Sequence, residues 1–273
     1  MIEIKSEKEI EVMAEAGKIL ATVMDELKKN VRPGVKTIDL DRLAESLIFK
    51  YGAKCSFKGY QGYPACLCTS INEEIVHSIP SERILKEGDI ISLDLGVFWK
   101  GFHSDMAVTL SVGKISPEAA RLIKVTKKAL KRGIKEAKEG NNFGDIENAI
   151  QEYVESQGYN VVRELTGHGI GRELHQEPII LNYGKRGTGP KIKKGMVFCI
   201  EPMVTAGDWK IKNSKDGYGI KTSDNSLSAH FEHMIAITKK GCQILTEQSL
   251  LKKNKRINWD LREKRMSWHT LRK

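Results

Sequence analysis

The apolar residues near the N-terminus follow the period of an amphipathic helix. They recur three, four and seven residues apart along one helix face: Ile10, Met13, Ala14, Gly17, Leu20, Ala21, Met24 and Leu27. Ser6 and Glu9 form a capping-box pattern, in which each side chain bonds the backbone N–H of the other residue. We therefore expect a helix over residues 6–30.

Similar patterns predict three further helices. Apolar residues at helical spacing predict one helix that stops at Gly52 and another that stops at Gly158. Between them, Ser116 followed by a proline is typical of a helix start, because proline fits the first helical position. We expect this helix to end near residue 138.

The chain resembles itself at an offset of 106 residues. The offset superposes glycines in pairs: Gly34 on Gly140, and Gly52 on Gly158. We interpret this as a duplicated unit of two helices followed by strands, with halves over about 6–112 and 116–246 of one domain, 1–246. Two unrelated pairs of amphipathic helices would look similar, and the sequence leaves that alternative open.

Apolar runs follow each pair of helices: DIISLDLGVF and MAVTLSV in the first half, GMVFCIEPMV and FEHMIAIT in the second. Their length and composition predict strands. Strands that follow helix pairs indicate an α+β fold whose sheets carry a site between the two halves.

Two aspartates interrupt the strands of the first half. A tight turn near Gly101 would fold residues 90–110 into a hairpin, with Asp94 either opposite Asp105 or diagonal to it, depending on the register. In both registers the two carboxylates share a face and repel each other. They therefore need a shared proton or a cation between them.

The second half adds two acids and a histidine. Glu201 follows the apolar run MVFCI, Glu232 lies in HFEHMIAIT, and His168 stands between glycines in TGHGIG. Two divalent cations balance four carboxylates, whereas one cation does not. Many oxygen donors with one nitrogen favour Mn, Fe or Co. Taken singly, each residue also has a structural explanation, such as an acid facing water or a hydrogen-bonded core histidine.

The run GHGIG fits two other kinds of site less well. Its glycines are spaced two and two, which does not match the G-x-G-x-x-G pattern of a phosphate-binding loop. No G-x-S-x-G motif supports a Ser-His-Asp triad, although the sequence does not exclude one.

The composition indicates the compartment in which the protein works. The chain has no apolar run long enough to span a bilayer and no secretory signal at its N-terminus, so we expect a cytoplasmic protein. Its five cysteines form no CxxC pair, and we expect reduced thiols. Of the net charge of +10, six charges belong to residues 247–273, where nine Lys and Arg residues oppose three acids.

Several motifs together resemble the type I methionine aminopeptidases: VHSIP, SLDLGVFWKGFHSDMAVT, GHGIGRELHQEP, IEPMV and SDNSLSAHFEHMIAIT. The resemblance covers residues 4–246 with matching spacings. It implies the pita-bread fold, in which two pseudo-symmetric halves surround a central site. It also implies removal of the initiator methionine from nascent proteins whose second residue is small.

The resemblance also assigns roles to individual residues. It implies five ligands of two divalent ions, which are Co, Mn, Fe or Zn: Asp94, Asp105, His168, Glu201 and Glu232. Glu201 would in addition carry a proton from the attacking water to the leaving amine. His77 and His175 would contact the substrate, and His175 would stabilise the oxyanion.

The same resemblance implies a methionine pocket formed by Tyr60, Tyr63, Cys68, Leu174 and Tyr218. The chain departs from the commonest family pattern at three positions near it. Leu174 stands where an aromatic residue is frequent, Tyr218 where tryptophan is frequent, and Phe57 where cysteine is frequent. These departures concern preferences at the rim of the pocket and leave the ligand set intact.

The segment 247–273 extends beyond the resemblance. Its basic residues are interleaved with Trp259 and Trp268, a composition that suits binding of phosphates with some base stacking. We treat contact with ribosomal RNA and a solvated terminus as equal alternatives. We expect a monomer that acts on nascent polypeptide N-termini and has no membrane partner.

Two other functions fit part of the sequence. A proline-specific peptidase of the same fold uses a similar ligand set, but such chains usually carry a large extra N-terminal domain, which we expect to be absent here. A non-catalytic protein of this fold would have lost ligands, whereas all five are present.

Overall fold

The computed structural model describes residues 2–247. Within this range the α-helices are α1 (Glu7–Asn30), α2 (Thr37–Lys50), α3 (Pro117–Glu136) and α4 (Phe143–Ser156), and a short 3-10 helix spans Tyr60–Gly62. All four α-helices lie where the apolar periodicity predicts them.

Side-chain caps fix the starts of two helices. Ser6 Oγ accepts a hydrogen bond from the N–H of Glu9 at 3.3 Å, and Glu9 Oε2 accepts one from the N–H of Ser6 at 2.9 Å. Ser116 Oγ accepts from the N–H of Ala119 at 3.1 Å. Such caps contribute about 1 kcal/mol each, because they satisfy N–H groups that the helix leaves free.

The strands are short apart from β4 and β5. They are β1 (Lys54–Cys55), β2 (Leu67–Ile71), β3 (Glu74–Val76), β4 (Ile90–Trp99), β5 (Phe102–Ser111), β6 (Asn160–Val161), β7 (Gly167–Gly169), β8 (Gln176–Ile180), β9 (Val197–Ile200), β10 (Met203–Thr205), β11 (Ile211–Asn213), β12 (Ile220–Thr222), β13 (Ser228–His230), β14 (His233–Thr238) and β15 (Gly241–Ile244).

These strands form four sheets. In the first sheet β4 pairs with β1, β2 and β5. The second has the order β13-β10-β6, the third β11-β12-β3, and the fourth β15-β14-β9-β7-β8. Every pairing between these strands is antiparallel.

The helices pack on the sheets, and one face of β4 points away from them. α1 packs on β4 and β5, α2 on β1 and β2, α3 on β13 and α4 on β6. Leu93, Leu95 and Val97 of β4 are fully buried in the same apolar core as Met24 and Leu27 of α1. Because side chains alternate along a strand, the residues between these three point away from the helices. The architecture is α+β, as expected.

The element bounds agree with the 106-residue offset. α2 and α4 begin and end 106 residues apart, and so do β1 and β6. Gly34 and Gly140 both have positive φ, 88° and 92°. These correspondences support our proposal that the two halves are copies of one unit.

The expectation that all cysteines are reduced thiols is wrong for Cys55 and Cys66, which form a disulfide. Cys55 ends β1 and Cys66 directly precedes β2, and both strands pair with β4, so the two ends of the intervening loop meet. Cysteine usage therefore no longer argues for a reducing compartment. Cys68, Cys199 and Cys242 are free thiols.

Among residues 2–247, no helix is both long and apolar enough to cross a membrane. The predictions for the basic tail concern residues 247–273, of which 248–273 lie outside the described residues.

Candidate metal centre and substrate cavity

The β4–β5 hairpin places two aspartates on one face. Its turn is Lys100–Gly101, where both residues have positive φ (48° and 88°), as a two-residue type I′ turn requires. The register pairs Asp105 with Gly96, so Asp94 and Asp105 are diagonal neighbours. Of the two registers that the sequence allows, the structure has the diagonal one.

Three side chains from the second half reach the same place. His168 lies in β7, Glu201 directly follows β9, and Glu232 directly precedes β14. His168 Nε2 is 3.5 Å from Glu201 Oε1 and 3.9 Å from Glu232 Oε1. The N–H of Glu232 donates to the carbonyl of Ala107 at 2.9 Å, which ties β14 to the aspartate hairpin.

The orientation of His168 is fixed by the backbone. Its Nδ1 is 3.0 Å from the carbonyl oxygen of Gly169, so Nδ1–H donates and the Nε2 lone pair faces the carboxylates. This is the arrangement that metal-ligating histidines usually have. Gly167 makes the packing possible, because a Cβ there would lie 2.5 Å from the carbonyl oxygen of Cys199.

Several buried atoms of the cluster lack hydrogen-bond partners within the described part of the chain. In residues 2–247, nine buried side-chain nitrogen or oxygen atoms have no partner, and five of them belong to Asp94, Asp105, Glu232 and His230. Buried polar atoms are normally satisfied, because an unpaired one costs about 1–3 kcal/mol. The clustering of these atoms at one point therefore indicates a missing electrostatic partner.

Burial shifts the pKa values of the cluster toward neutral forms. Burial raises the pKa of Asp94 to about 6, although His230 and Asp105 oppose the shift. Burial, and then the charges of Glu232 and Asp94, raise the pKa of Asp105 well above its usual range. The pKa values of Glu201 and Glu232 are raised for the same reasons, burial first and neighbouring acids second.

The donor set fits divalent cations. Asp94, Asp105 and Glu232 offer oxygens within 4.8 Å of one another, and His168 adds a nitrogen whose pKa is lowered by burial to about 3, so it stays neutral. No Lys or Arg of the described chain forms an ion pair with the four acids. A cation is therefore the counter-charge that this geometry lacks.

Cys199 lies beside this cluster and is a poor candidate ligand. It groups with His168 and Glu232, but burial and the charge of Glu232 raise the pKa of its thiol well above the usual value. Because the thiolate is the ligating form, a thiol that stays protonated beside Glu232 is not suited to bind a metal.

His77 and His175 both lie beside the cluster. His77 has a positive φ of 61°, a strained conformation for a residue with a side chain and one that is common at functional sites. Burial, together with His230 and His175, lowers its pKa to about 4. His175 Nδ1 is 2.9 Å from Tyr60 Oη, and its ring lies edge-on to that of His168 at 4.4 Å.

A cavity of about 410 Å³ opens onto the carboxylates from one side. All five residues predicted for the methionine pocket line it, and Phe57 joins them: Tyr60, Tyr63, Cys68, Leu174 and Tyr218. The hydroxyl of Tyr63 donates to the carbonyls of Leu67 and Ser78, both at 3.2 Å, so this ring presents its apolar face. The Tyr63 and Tyr218 rings meet edge to face at 5.5 Å.

A second cavity, of about 470 Å³, meets the first at the cluster. The two cavities share five residues, and the outer part of the second carries Glu177 and the exposed Ile179. The shared residues are His77, Asp94, His168, His175 and Glu201. A peptide could therefore lie across the carboxylates with one end in each cavity.

Sequence reasoning missed His230. It lies at the end of β13, is 1% exposed, and has Nε2 3.5 Å from Glu201 Oε2. Its spacing of two residues from Glu232 was the available signal, because alternate residues of a strand share a face.

Comparison with known proteins places the chain among peptidases. The family model described as "Metallopeptidase family M24" matches residues 11–239. The methionine aminopeptidase of Clostridium acetobutylicum is 53% identical over 247 residues, which is 90% of this chain and 99% of that protein.

Solved structures agree with this comparison. Methionine aminopeptidase from Thermotoga maritima superposes with a TM-score of 0.89 at 45% identity, over 91% of this chain and 100% of that one. The prolidase from Pyrococcus furiosus has a TM-score of 0.72 at 24% identity, over 89% of this chain and 65% of that one, which is a likeness of fold alone.

Proposed function

Since the chain belongs to metallopeptidase family M24 and, within it, to the methionine aminopeptidases, we propose that it removes the initiator methionine from nascent proteins whose second residue is small. It is a metallo-exopeptidase with the pita-bread fold, as expected from the sequence. The observation that carries the proposal is a cavity with aromatic and aliphatic side chains on its wall that opens onto a cluster of buried carboxylates with unpaired oxygens.

The five predicted ligands hold two divalent ions in this proposal: Asp94, Asp105, His168, Glu201 and Glu232. Four carboxylates with raised pKa values, three of which keep an unpaired buried oxygen, support two ions, because two dications balance four negative charges. Bound there, the ions would supply Lewis acidity and lower the pKa of an attacking water. The donor set suits Co, Mn, Fe and Zn.

Glu201 moves the proton during hydrolysis. It accepts a proton from the attacking water and gives it to the nitrogen of the leaving amine. Its buried position, which raises its pKa, supports this role, because a carboxylate with an ordinary pKa holds a proton too weakly at neutral pH.

Three side chains bind or orient the substrate: Tyr60, His175 and His77. The Tyr60 hydroxyl donates to His175 Nδ1, which leaves Nε2–H as the donor to the oxyanion of the tetrahedral intermediate. Burial lowers the pKa of His175, so the ring is neutral and keeps this single N–H. His77, held by its strained backbone at the junction of the two cavities, bonds the substrate backbone.

The first cavity receives the methionine side chain. Its wall is formed by Tyr60, Tyr63, Cys68, Leu174 and Tyr218. Aromatic edges and a buried thiol suit a thioether, which makes favourable contacts with aromatic rings. With the methionine side chain bound there, the rest of the substrate lies along the second cavity, which places the first peptide bond at the carboxylate cluster.

The proposal extends to the cellular setting. The protein acts as a monomer in the cytoplasm, on N-termini that emerge during synthesis. The basic segment 247–273 provides contact with ribosomal RNA through its Lys and Arg residues. Deletion of 247–273 should weaken ribosome association and flatten its salt dependence. Equal, salt-insensitive binding of the two proteins would contradict the contact.

The test of the activity is methionine release from two peptides. Metal-free protein, resupplied in turn with Mn²⁺, Co²⁺, Fe²⁺ or Zn²⁺, should release methionine from Met-Ala-Ser and not from Met-Lys-Ser. Protein kept in chelator is the control. Release of the first residue from X-Pro peptides with no release from Met-Ala-Ser would instead identify a proline-specific peptidase.

A further inference from the structure

A disulfide joins the two ends of a loop that forms one wall of the methionine cavity. Cys55 at the end of β1 is bonded to Cys66, which directly precedes β2. The residues between them, 56–65, are called the pocket loop below. Four side chains of this loop line the first cavity: Phe57, Tyr60, Gln61 and Tyr63.

The middle of the pocket loop has a backbone conformation that needs support. Gly59, Gln61 and Gly62 have positive φ values of 88°, 47° and 81°. This left-handed region is unfavourable for a residue with a Cβ, such as Gln61. A free chain adopts such a conformation rarely, so it persists only where the surrounding structure holds it.

The hydrogen bonds of the loop are mostly local. The N–H of Gly59 donates to the carbonyl of Tyr63 at 2.8 Å, and the N–H of Tyr63 donates to the carbonyl of Tyr60 at 2.9 Å. Side chains make the links to the rest of the protein, with the Tyr63 hydroxyl on the carbonyl of Ser78 and the Tyr60 hydroxyl on His175. Local bonds give the loop its shape, but they do not fix its position over the cavity.

The two ends of the loop are anchored unequally. β1 pairs with β4 at two positions, Lys54 and Cys55, which makes it a weak anchor. The other end is held firmly, because the N–H of Cys66 donates to Asp41 Oδ1 at 2.8 Å and β2 pairs with β4 along its whole length. The disulfide therefore ties the weak end of the loop to the firm one.

We propose that the Cys55–Cys66 disulfide is a positioning element for substrate binding, which holds the pocket loop in its binding conformation and releases it on reduction. The inference rests on the proposed function in taking the first cavity as the methionine pocket. With the bond intact, Tyr60 stays against His175 and the aromatic wall is already formed when the substrate arrives. In the reduced protein, binding includes the entropy cost of ordering the loop, and affinity falls.

A dithiol reductant can open this bond from solvent. Cys55 is partly exposed, whereas Cys66 is fully buried. A thiolate of the reductant attacks the sulfur of Cys55, and Cys66 leaves as a thiolate that takes up a proton. The second thiol of the reductant then displaces Cys55 and closes the reductant's own disulfide, so two electrons pass to the protein. The other cysteines are free thiols, so the reductant breaks one bond: Cys68, Cys199 and Cys242.

The first test is hydrogen exchange, which does not depend on activity. Peptide mapping of the full-length protein without reductant should show Cys55 linked to Cys66. After reduction with a phosphine, the amides of the pocket loop should exchange at least about tenfold faster, while those of α3 should keep their rate. Absence of the linkage, or unchanged exchange of the loop after reduction, would overturn the proposal.

The second test separates KM from kcat. Reduction of the wild-type protein should raise KM for Met-Ala-Ser about five- to tenfold and change kcat by less than about twofold, because the bound substrate restores the loop. A fall in kcat at unchanged KM is what loss of folded protein alone would produce, and it would contradict the positioning role.

Variants supply the matched comparison. Cys55→Ser/Cys66→Ser should show the raised KM without reductant and no response to the phosphine. Cys242→Ser removes a free thiol in β15, away from the cavity, and should respond as the wild type does. A double variant with the KM of the oxidised wild type would contradict the proposal.

Failure of this inference is distinguishable from failure of the proposed function. Methionine release with the same KM before and after reduction would remove the role of the disulfide and leave the peptidase activity intact. Faster exchange of the pocket loop on reduction, without methionine release under any metal, would retain the effect of the disulfide on the loop and contradict the activity.

Discussion

The protein buries carboxylates in two regions, and it treats them differently. Asp41, on α2, is 7% exposed, and its Oδ1 accepts hydrogen bonds from the N–H groups of Cys66 and Leu67 at 2.8 and 2.9 Å. Asp105 and Glu232, at the centre, are 3% and 2% exposed, and each keeps an oxygen with no partner in residues 2–247.

The comparison shows what distinguishes a structural acid from a ligand. Burial raises the pKa of Asp41, but two backbone N–H groups oppose the shift. At the centre, burial and the neighbouring carboxylates both raise the pKa of Asp105. The protein satisfies Asp41 by itself and leaves the acids of the centre to an external positive charge.

The largest difference between the two regions should come from Glu232→Ala. It removes an acid that faces both Asp105 and His168, so we expect loss of bound metal and a fall in kcat/KM of more than about 10³-fold, beyond the cost of losing one oxyanion donor. Metal content and methionine release measure it. Full metal occupancy in this variant would contradict the ligand assignment.

A smaller loss is expected for His77→Ala. His77 lines both cavities but offers no atom to the donor groups of the cluster, so metal content should stay at the wild-type level. Turnover should fall by about 10²-fold, the lower end of the effect of removing one transition-state donor. Loss of metal from this variant would show that His77 belongs to the centre after all.

Asp41→Ala tests the region in which backbone N–H groups satisfy the buried acid. It leaves the N–H groups of Cys66 and Leu67 unpaired, which should lower the free energy of unfolding by about 1–3 kcal/mol. Urea denaturation measures the loss. Metal stoichiometry should be unchanged, and a parallel loss of metal would erase the distinction between the two regions.

The smallest effect is a pH dependence of metal binding. Burial raises the pKa of Asp94 to about 6 and those of the other three acids as well, so the metal-free centre holds protons that a cation must expel. Affinity for Mn²⁺ should fall as pH decreases through about 6, roughly tenfold per pH unit for each proton released.

The folding stability of the metal-free protein should change with pH in the opposite direction. These carboxyls have folded pKa values above their unfolded ones, so their contribution to stability is favourable at low pH and is lost as the pH rises through about 6.

Calorimetry of metal binding in buffers of different ionisation enthalpy would count the protons that the metal releases. No proton release at pH 6 would contradict the raised pKa values.

Local patterns predicted most of the fold. The helices and their caps depend on residues three and four apart, and the hairpin depends on a turn next to two apolar strands, so the sequence carries both directly. The charge count of the acids and His168 also suggested two cations before any coordinates. The roles of His77 and His175 came from the family resemblance and not from local spacing.

Contacts between distant strands were the part that sequence could not supply. The disulfide between Cys55 and Cys66 depends on β1 and β2 both pairing with β4, and the position of His230 depends on β13 lying beside the end of β9. Neither arrangement has a signature within a short stretch of chain. Both follow from tertiary packing.

The most direct test of the central claim is anomalous diffraction from a crystal of the full chain grown with Mn²⁺. The account predicts two anomalous peaks among the buried acids, with His168 in contact with one of them. A crystal in which these carboxylates bind no ion, while Mn²⁺ lies elsewhere on the protein, would contradict it.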